Sequence, residues 1–222
     1  MIPNRSNYDY IIPLGEECYT CQCIDDKFNM VSLRTCAFPF DYIGHSFIEQ
    51  ITLKCKELLE CPHKLNTLED SFEILLFGDR YFYSDKIYHF HYWHDTSHSQ
   101  LELFTENDLK EITDKYKRRY NRLITAILSN QPLLFISVNH YDNIYNNIDK
   151  KDSLITLYDL LYTYNKNIKF IAFNYTNNNF THNMLTHTVL ECDQTIPFAD
   201  SKSKFAKVLQ EYIKENINPL FL

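Results

Sequence analysis

The sequence predicts an α/β fold: a single layered domain with a mixed, partly parallel central sheet flanked by helices, and a cysteine at the N-terminus of the first helix. Three observations predict it. The C-terminal half alternates helical periodicity with short unbroken apolar runs, the order in which helical crossovers join parallel strands. The N-terminal half opens on an aromatic and β-branched run, Tyr8 to Pro13, which stops at Leu14-Gly15 and gives way to three-and-four spacing. No repeat or linker-like stretch divides the 222 residues, so one domain over 1–222 is expected.

Taken in order, Tyr8 to Pro13 reads as a buried strand ending in a tight turn at Gly15. Glu16 to Phe28 then places two acidic residues ahead of Cys18, Cys21, Ile24 and Phe28, as a helix with a favourable first turn would. Phe47 to Glu60 returns to helical spacing through Ile48, Ile51, Leu58 and Leu59. Strands are expected at Phe72 to Phe77 and Arg80 to Tyr83. Ile87 to His94 is almost entirely aromatic or histidine. As a strand it would put Tyr88, Phe90, Tyr92 and His94 on one face, with His94 at the C-terminal end.

Glu106 to Leu128 is the longest helix candidate, with Leu109, Ile112, Tyr116, Tyr120, Leu123 and Ile127 as its apolar stripe. "PLLFISV" follows as a buried strand. A helix at Ser153 to Tyr164, strands at Ile168 to Phe173 and Thr188 to Glu191, and a helix at Lys202 to Glu215 complete the reading. The Asn-rich piece Asn174 to Asn183 is a surface loop by composition.

Composition narrows the function classes. Hydrophobic residues at 45% and charged residues at 23%, with 17 Tyr and 16 Phe, are those of a packed globular chain rather than a disordered one. The formal charge of -7 argues against a nonspecific nucleic-acid binder, because counterion release needs a concentrated basic surface. No apolar run reaches the roughly 18 residues of a membrane span, and the N-terminus has no signal-peptide h-region. A cytoplasmic protein without membrane partners is expected, and its seven cysteines should be reduced thiols.

The strongest chemical signal is a strand, Leu14-Gly15, two residues, Cys18 and a helix. A thiol in a helix's first turn is favoured as thiolate by unpaired N–H groups and the macrodipole. Glu16 and Glu17 oppose this, so an active site near neutral pH needs an imidazolium partner.

The stretch "LGEECYTCQCIDDKFNMVSLRTCAFPFDYI", Leu14 to Ile43, resembles the N-terminal signature of the papain-like cysteine peptidase family long catalogued as a domain of unknown function. Members carry LG-x-x-C, a hydrophobic helix, an LR pair and a PFDW-like segment. Here these are Leu14, Gly15 and Cys18, then Leu33 and Arg34, then Pro39, Phe40, Asp41 and Tyr42, with Tyr42 in place of the family's Trp. Weaker likenesses follow in His94-Asp95, with Thr96 where an aromatic is usual, and in the basic "KYKRRYNRL".

The resemblance implies Cys18 as nucleophile, His94 as general base and an orienting Asp or Asn. Asp95 is the nearest orienter by motif, although adjacent strand residues point to opposite faces, so it could orient His94 only if the strand has already ended there. Asn139, His140 and Asp142, just after "LLFISV", are its rivals, because α/β folds place functional groups at strand ends. Asp41 enters as a site-wall residue, though a turn role within Pro39-Phe40-Asp41-Tyr42 is the stronger reading. Arg118 and Arg122, at i and i+4, are a substrate- or anion-binding pair or simply a solvated helix face.

The same residues admit a weaker metal reading, with thiolates from Cys18, Cys21, Cys23 and Cys36, or from Cys55 and Cys61 with His63. The spacing lacks the second C-x-x-C pair of a structural zinc site, so no metal or cofactor is expected. The sequence thus points to a cysteine hydrolase or acyltransferase acting on a peptide or other amide or acyl substrate. Its rival is a non-enzymatic α/β binding module that keeps the scaffold.

Overall fold

The computed structural model describes residues 10–15, 37–41, 43, 47–95, 97–139, 149–176 and 178–189. The expected helices at Glu16–Phe28 and Lys202–Glu215 lie outside them, as do Cys18, His140 and Asp142. The described elements run in order as β1 (Tyr10–Gly15), α1 (Ile48–Glu60), β2 (Phe72–Phe77), β3 (Arg80–Asp85), β4 (Ser97–His98), α2 (Glu106–Leu128), β5 (Leu133–Val138), α3 (Lys151–Tyr164), β6 (Ile168–Phe173), β7 (Phe180–His182) and β8 (Leu185–Thr188). Short 3-10 turns occupy Pro62–Ser71 and Leu101–Leu103. None of these helices is long and apolar enough to cross a membrane.

Among the described residues the larger sheet has five strands in the order β1-β5-β6-β8-β7. β1, β5, β6 and β8 are parallel, and β7 pairs antiparallel with β8. The fold is α/β with a mixed, mostly parallel sheet flanked by helices. The crossovers from β1 to β5 and from β5 to β6 advance across the sheet in one direction. Right-handed connections must then put α1, α2 and α3 on the same face.

They do pack together there, sharing a core with Ile12, Leu14, Leu133, Phe135, Ile168, Phe170 and Ala172. The alternate residues Ile11, Leu134, Ile136, Ile171 and Phe173 face the other way and are also buried. Burial on both faces is why β5 reads as an unbroken apolar run instead of an alternating one.

α2 forms where periodicity places it. Thr105 and Asp108 cap its start reciprocally, Asp108 N–H donating to Thr105 Oγ1 at 3.2 Å and Thr105 N–H to Asp108 Oδ2 at 2.8 Å. Asn130, left-handed at φ 57°, takes the chain out after its last turn. The stripe Ile112, Tyr116, Tyr120, Leu123 and Ile127 is buried, while Leu109 is only partly covered.

The smaller sheet, in the order β2-β3-β4, is built on a hairpin whose two-residue turn uses Gly78 at φ 63°. Its inner face, through Phe72 and Tyr83, joins the main core.

Three expectations are corrected. Ile87–His94 is not a strand. The Asp85 carboxylate accepts the Ile87 and Tyr88 N–H groups, each at 2.9 Å, His89 turns left-handed at φ 55°, and a lone bridge joins His91 to Ser84. Tyr88, Phe90 and Tyr92 are buried as the alternation implied, but His94 breaks from that face and is exposed.

Of the strand expected at Thr188–Glu191, Thr188 closes β8, which runs over Leu185–Thr188 and pairs with β6, Val189 lies beyond it, and Leu190 and Glu191 are outside the described residues. Nor is Asn174–Asn183 simply a surface loop. Asn174, Tyr175 and Thr176 are buried, and β7 forms ahead of a turn in which Asn183 is left-handed at φ 52°.

Candidate functional site

Two neighbourhoods hold Asn139, Asp41, His94, Asp95, Arg118 and Arg122, the described residues among the catalytic and anion-binding candidates. The first is the carboxyl edge of the parallel sheet, where open α/β sheets gather ligands. Parallel register sets Gly15 opposite Val138, and Val138 opposite Phe173. Asn139, one residue further on, is buried. Its N–H donates to the Phe173 carbonyl at 3.0 Å and its Nδ2 to the Asn174 carbonyl at 2.9 Å.

Tyr175 is the hub of this edge. Its hydroxyl meets Ser137 Oγ at 2.5 Å, its carbonyl accepts Lys150 N–H at 2.9 Å, and its N–H donates to His187 Nε2 at 2.9 Å. His187 Nδ1 lies 3.0 Å from the Asn178 carbonyl. Those partners assign the ring proton to Nδ1, with Nε2 as acceptor. Burial pushes the His187 pKa down to about 4, against smaller upward pulls from the Asn178 carbonyl and Asp149, so the ring is neutral near pH 7. Nothing in the sequence reading pointed to His187.

The second neighbourhood is the middle of α2. The chain turns at Tyr92–Asp95, closed by Asp95 N–H to the Tyr92 carbonyl at 3.1 Å, and His94 projects from that turn. His94 and Asp95 therefore lie in a turn and not in a strand, which removes the objection to Asp95 as the orienter of His94. Lys115 Nζ donates to one Asp95 oxygen, and the Tyr116 hydroxyl to the other at 2.5 Å.

The segment before α1 meets the same helix. Arg122 donates to the Ala37 carbonyl, and Phe40 packs edge-on between Phe90, at 5.6 Å, and Tyr120, at 6.1 Å. Asp41 is buried and accepts the Phe38 N–H at 2.9 Å, while its own N–H donates to the Phe38 carbonyl at 3.3 Å. That is the turn-forming role expected for it. Arg118 is exposed on the same helix, whereas Arg122 is half-buried.

A charged group in the core escaped the sequence reading. Lys54 is 4% exposed and Asp85 0%. The Lys54 ammonium lies 3.1 Å from Glu57, 3.8 Å from Asp85, and 4.7 Å and 5.5 Å from the Tyr88 and Tyr120 ring centres. Burial raises the Glu57 pKa, but Lys54 and Lys64 more than offset this and hold it below the usual carboxylate value. The available signal was a lysine inside the Ile51, Cys55, Leu58 stripe, where only a paired cation is stable.

Burial pushes the neighbouring Cys55 thiol up to about 12, so it is a poor nucleophile near neutral pH. The alternative set Cys55, Cys61 and His63 is not gathered. Among the described residues, no group of three or more His, Cys, Asp or Glu could hold a metal ion.

In comparisons with known proteins, no family model, no curated protein and no solved structure matches this chain.

Proposed function

We propose that the protein is a cysteine hydrolase or acyltransferase of papain-like type, with Cys18 as nucleophile, His94 as general base and Asp95 as its orienter. His94 takes the thiol proton, and the sulfur adds to the carbonyl carbon of a peptide or other amide. The carbon–nitrogen bond breaks as His94 returns the proton to the leaving amine. Water or another acceptor then releases the acyl group from sulfur. Backbone N–H groups at the start of a helix would hold the oxyanion. The reading includes action in the cytoplasm, no cofactor and no nucleic-acid partner.

One observation carries this proposal: segments far apart in sequence that resemble family motifs meet on α2. Arg122 holds Ala37 beside Pro39-Phe40-Asp41, and Tyr116 holds Asp95 beside His94. Gly15, three residues ahead of Cys18, closes β1 at the carboxyl edge of the sheet. Asp95 is preferred to Asn139 as orienter because it sits beside His94 in the turn at Tyr92–Asp95, whereas Asn139 follows β5 at the carboxyl edge of the sheet.

A binding module remains the rival. Exposed Phe77 and Ile87 favour it, Phe77 lying edge-on to Trp93 with ring centres 5.1 Å apart.

Brief labelling of the native protein with iodoacetamide near neutral pH, read by peptide mass spectrometry, separates the two. The enzyme reading expects Cys18 to label well ahead of the other six cysteines. Labelling of Cys18 no faster than the others returns the chain to the binding-module reading.

A further inference from the structure

The turn that presents His94 is gripped at both ends by one side chain. Tyr116, fully buried on α2, lays its ring against Tyr92 at the start of the turn, with centres 4.4 Å apart at 62°. It gives its hydroxyl hydrogen to Asp95 Oδ2 at the end of the turn, at 2.5 Å. Lys115, the preceding residue, takes the other Asp95 oxygen, and the Arg119 guanidinium lies 5.3 Å from the Tyr116 ring centre.

Burial, the first cause, and the charge of Asp95 raise the Tyr116 phenol well above its ordinary pKa, so the hydroxyl stays protonated and can only donate to the carboxylate. Tyr92 is buried beneath the turn, whereas His94 is exposed above it. The small sheet also holds Tyr92, whose N–H donates to the Tyr83 carbonyl at 3.0 Å and whose ring meets Phe72 edge-on at 5.2 Å, but Tyr116 is the side chain that reaches both Tyr92 and Asp95.

From this geometry we propose that Tyr116 is a positioning residue for His94, clamping Tyr92 and Asp95 so that the imidazole is presented at a fixed place relative to α2. The inference rests on the reading of His94 as the base for Cys18. It adds that the placement is set from the helix and passes through the Asp95 carboxylate. A carboxylate has about four acceptor sites, and α2 occupies two of them, so Asp95 keeps capacity to receive the His94 ring N–H while held from behind.

Tyr116→Phe removes the hydroxyl and keeps the ring contact with Tyr92. Asp95→Asn removes the charge without altering size. Two readouts are taken on the full chain: the His94 ring resonances by NMR, beside the Trp93 indole, and the rate of Cys18 alkylation. Both variants should move the His94 resonances while those of His89, His98 and His182 stay in place, and each should slow Cys18 alkylation roughly tenfold, the scale of a small misplacement.

The double variant should be no slower than Asp95→Asn alone, because the hydroxyl acts through that carboxylate. His94 resonances unchanged in both single variants overturn the clamp, whatever Cys18 does. An ordinary wild-type Cys18 alongside shifted His94 resonances overturns the thiol reading and leaves the clamp standing.

Discussion

The Lys54 ammonium lies 3.8 Å from the Asp85 carboxylate at a point where both side chains are closed to solvent. Asp85 also holds the Ile87 and Tyr88 N–H groups, so this pair joins α1 to the start of the segment leading to His94. Removing Lys54 leaves the buried Asp85 carboxylate with backbone N–H donors in place of a cation, and removing the Asp85 charge leaves Lys54 balanced by Glu57 alone. Lys54→Met or Asp85→Asn should each cost about 3 kcal/mol in urea unfolding, and the double variant clearly less than the sum. Additive losses would show that the two charges do not interact.

His187 makes stability depend on acid. Its folded pKa, about 4, lies below the ordinary 6.5, so the unfolded chain binds a proton that the folded chain refuses. The sign follows directly. Stability is full above pH 6.5, falls as pH drops through the window to 4, and levels off below it with about 3 kcal/mol lost. Chemical denaturation at a series of pH values should show this slope, and His187→Gln should flatten it. An equal slope in the variant would assign the acid sensitivity elsewhere.

Cys55 should resist alkylation in the native protein at pH 8, since burial holds its thiol near 12, and should label only when the chain unfolds. Half-buried Cys61 serves as the internal comparison. Quantitative mass spectrometry of the two peptides with and without denaturant checks this, and native labelling of Cys55 at the rate of Cys61 would contradict it.

Thr105→Ala breaks the reciprocal cap of α2 and should cost about 1 kcal/mol by thermal or urea unfolding. The Cys18 alkylation rate should not change, because the cap lies two turns or more from Lys115 and Tyr116. A large fall in that rate at intact stability would mean that α2 is held from its end and not from its middle.

The bounds of α2 were legible because Thr105, Asp108 and the stripe from Ile112 to Ile127 all agree, and β5 because both of its faces are buried. Ile87–His94 misled for a definite reason. Its aromatics alternate in burial, which period-two reading detects, yet the Asp85 carboxylate bends the backbone, and a side-chain cap on N–H groups two and three residues ahead leaves no periodic trace.

Likewise Asn174 and Asn183 were visible as turn formers, but not the buried hub that Tyr175 makes with Ser137 and His187, since those contacts span 38 and 12 positions. At the candidate site the motif residues were legible, whereas their supports were not. Lys115 and Tyr116 look like any amphipathic helix until Asp95 is seen against them, and Arg122, singled out as an anion-binding candidate, gave no sign of its bond to the Ala37 carbonyl.

The central claim is tested most directly by the alkylation rate of Cys18 from pH 5 to pH 9 in the wild type and in His94→Gln. An ordinary thiol becomes reactive only near its pKa of about 8.5. The account predicts a wild-type rate that persists well below that point and a variant that loses this low-pH reactivity. Two superimposed curves, both rising only near the ordinary thiol pKa, would contradict it.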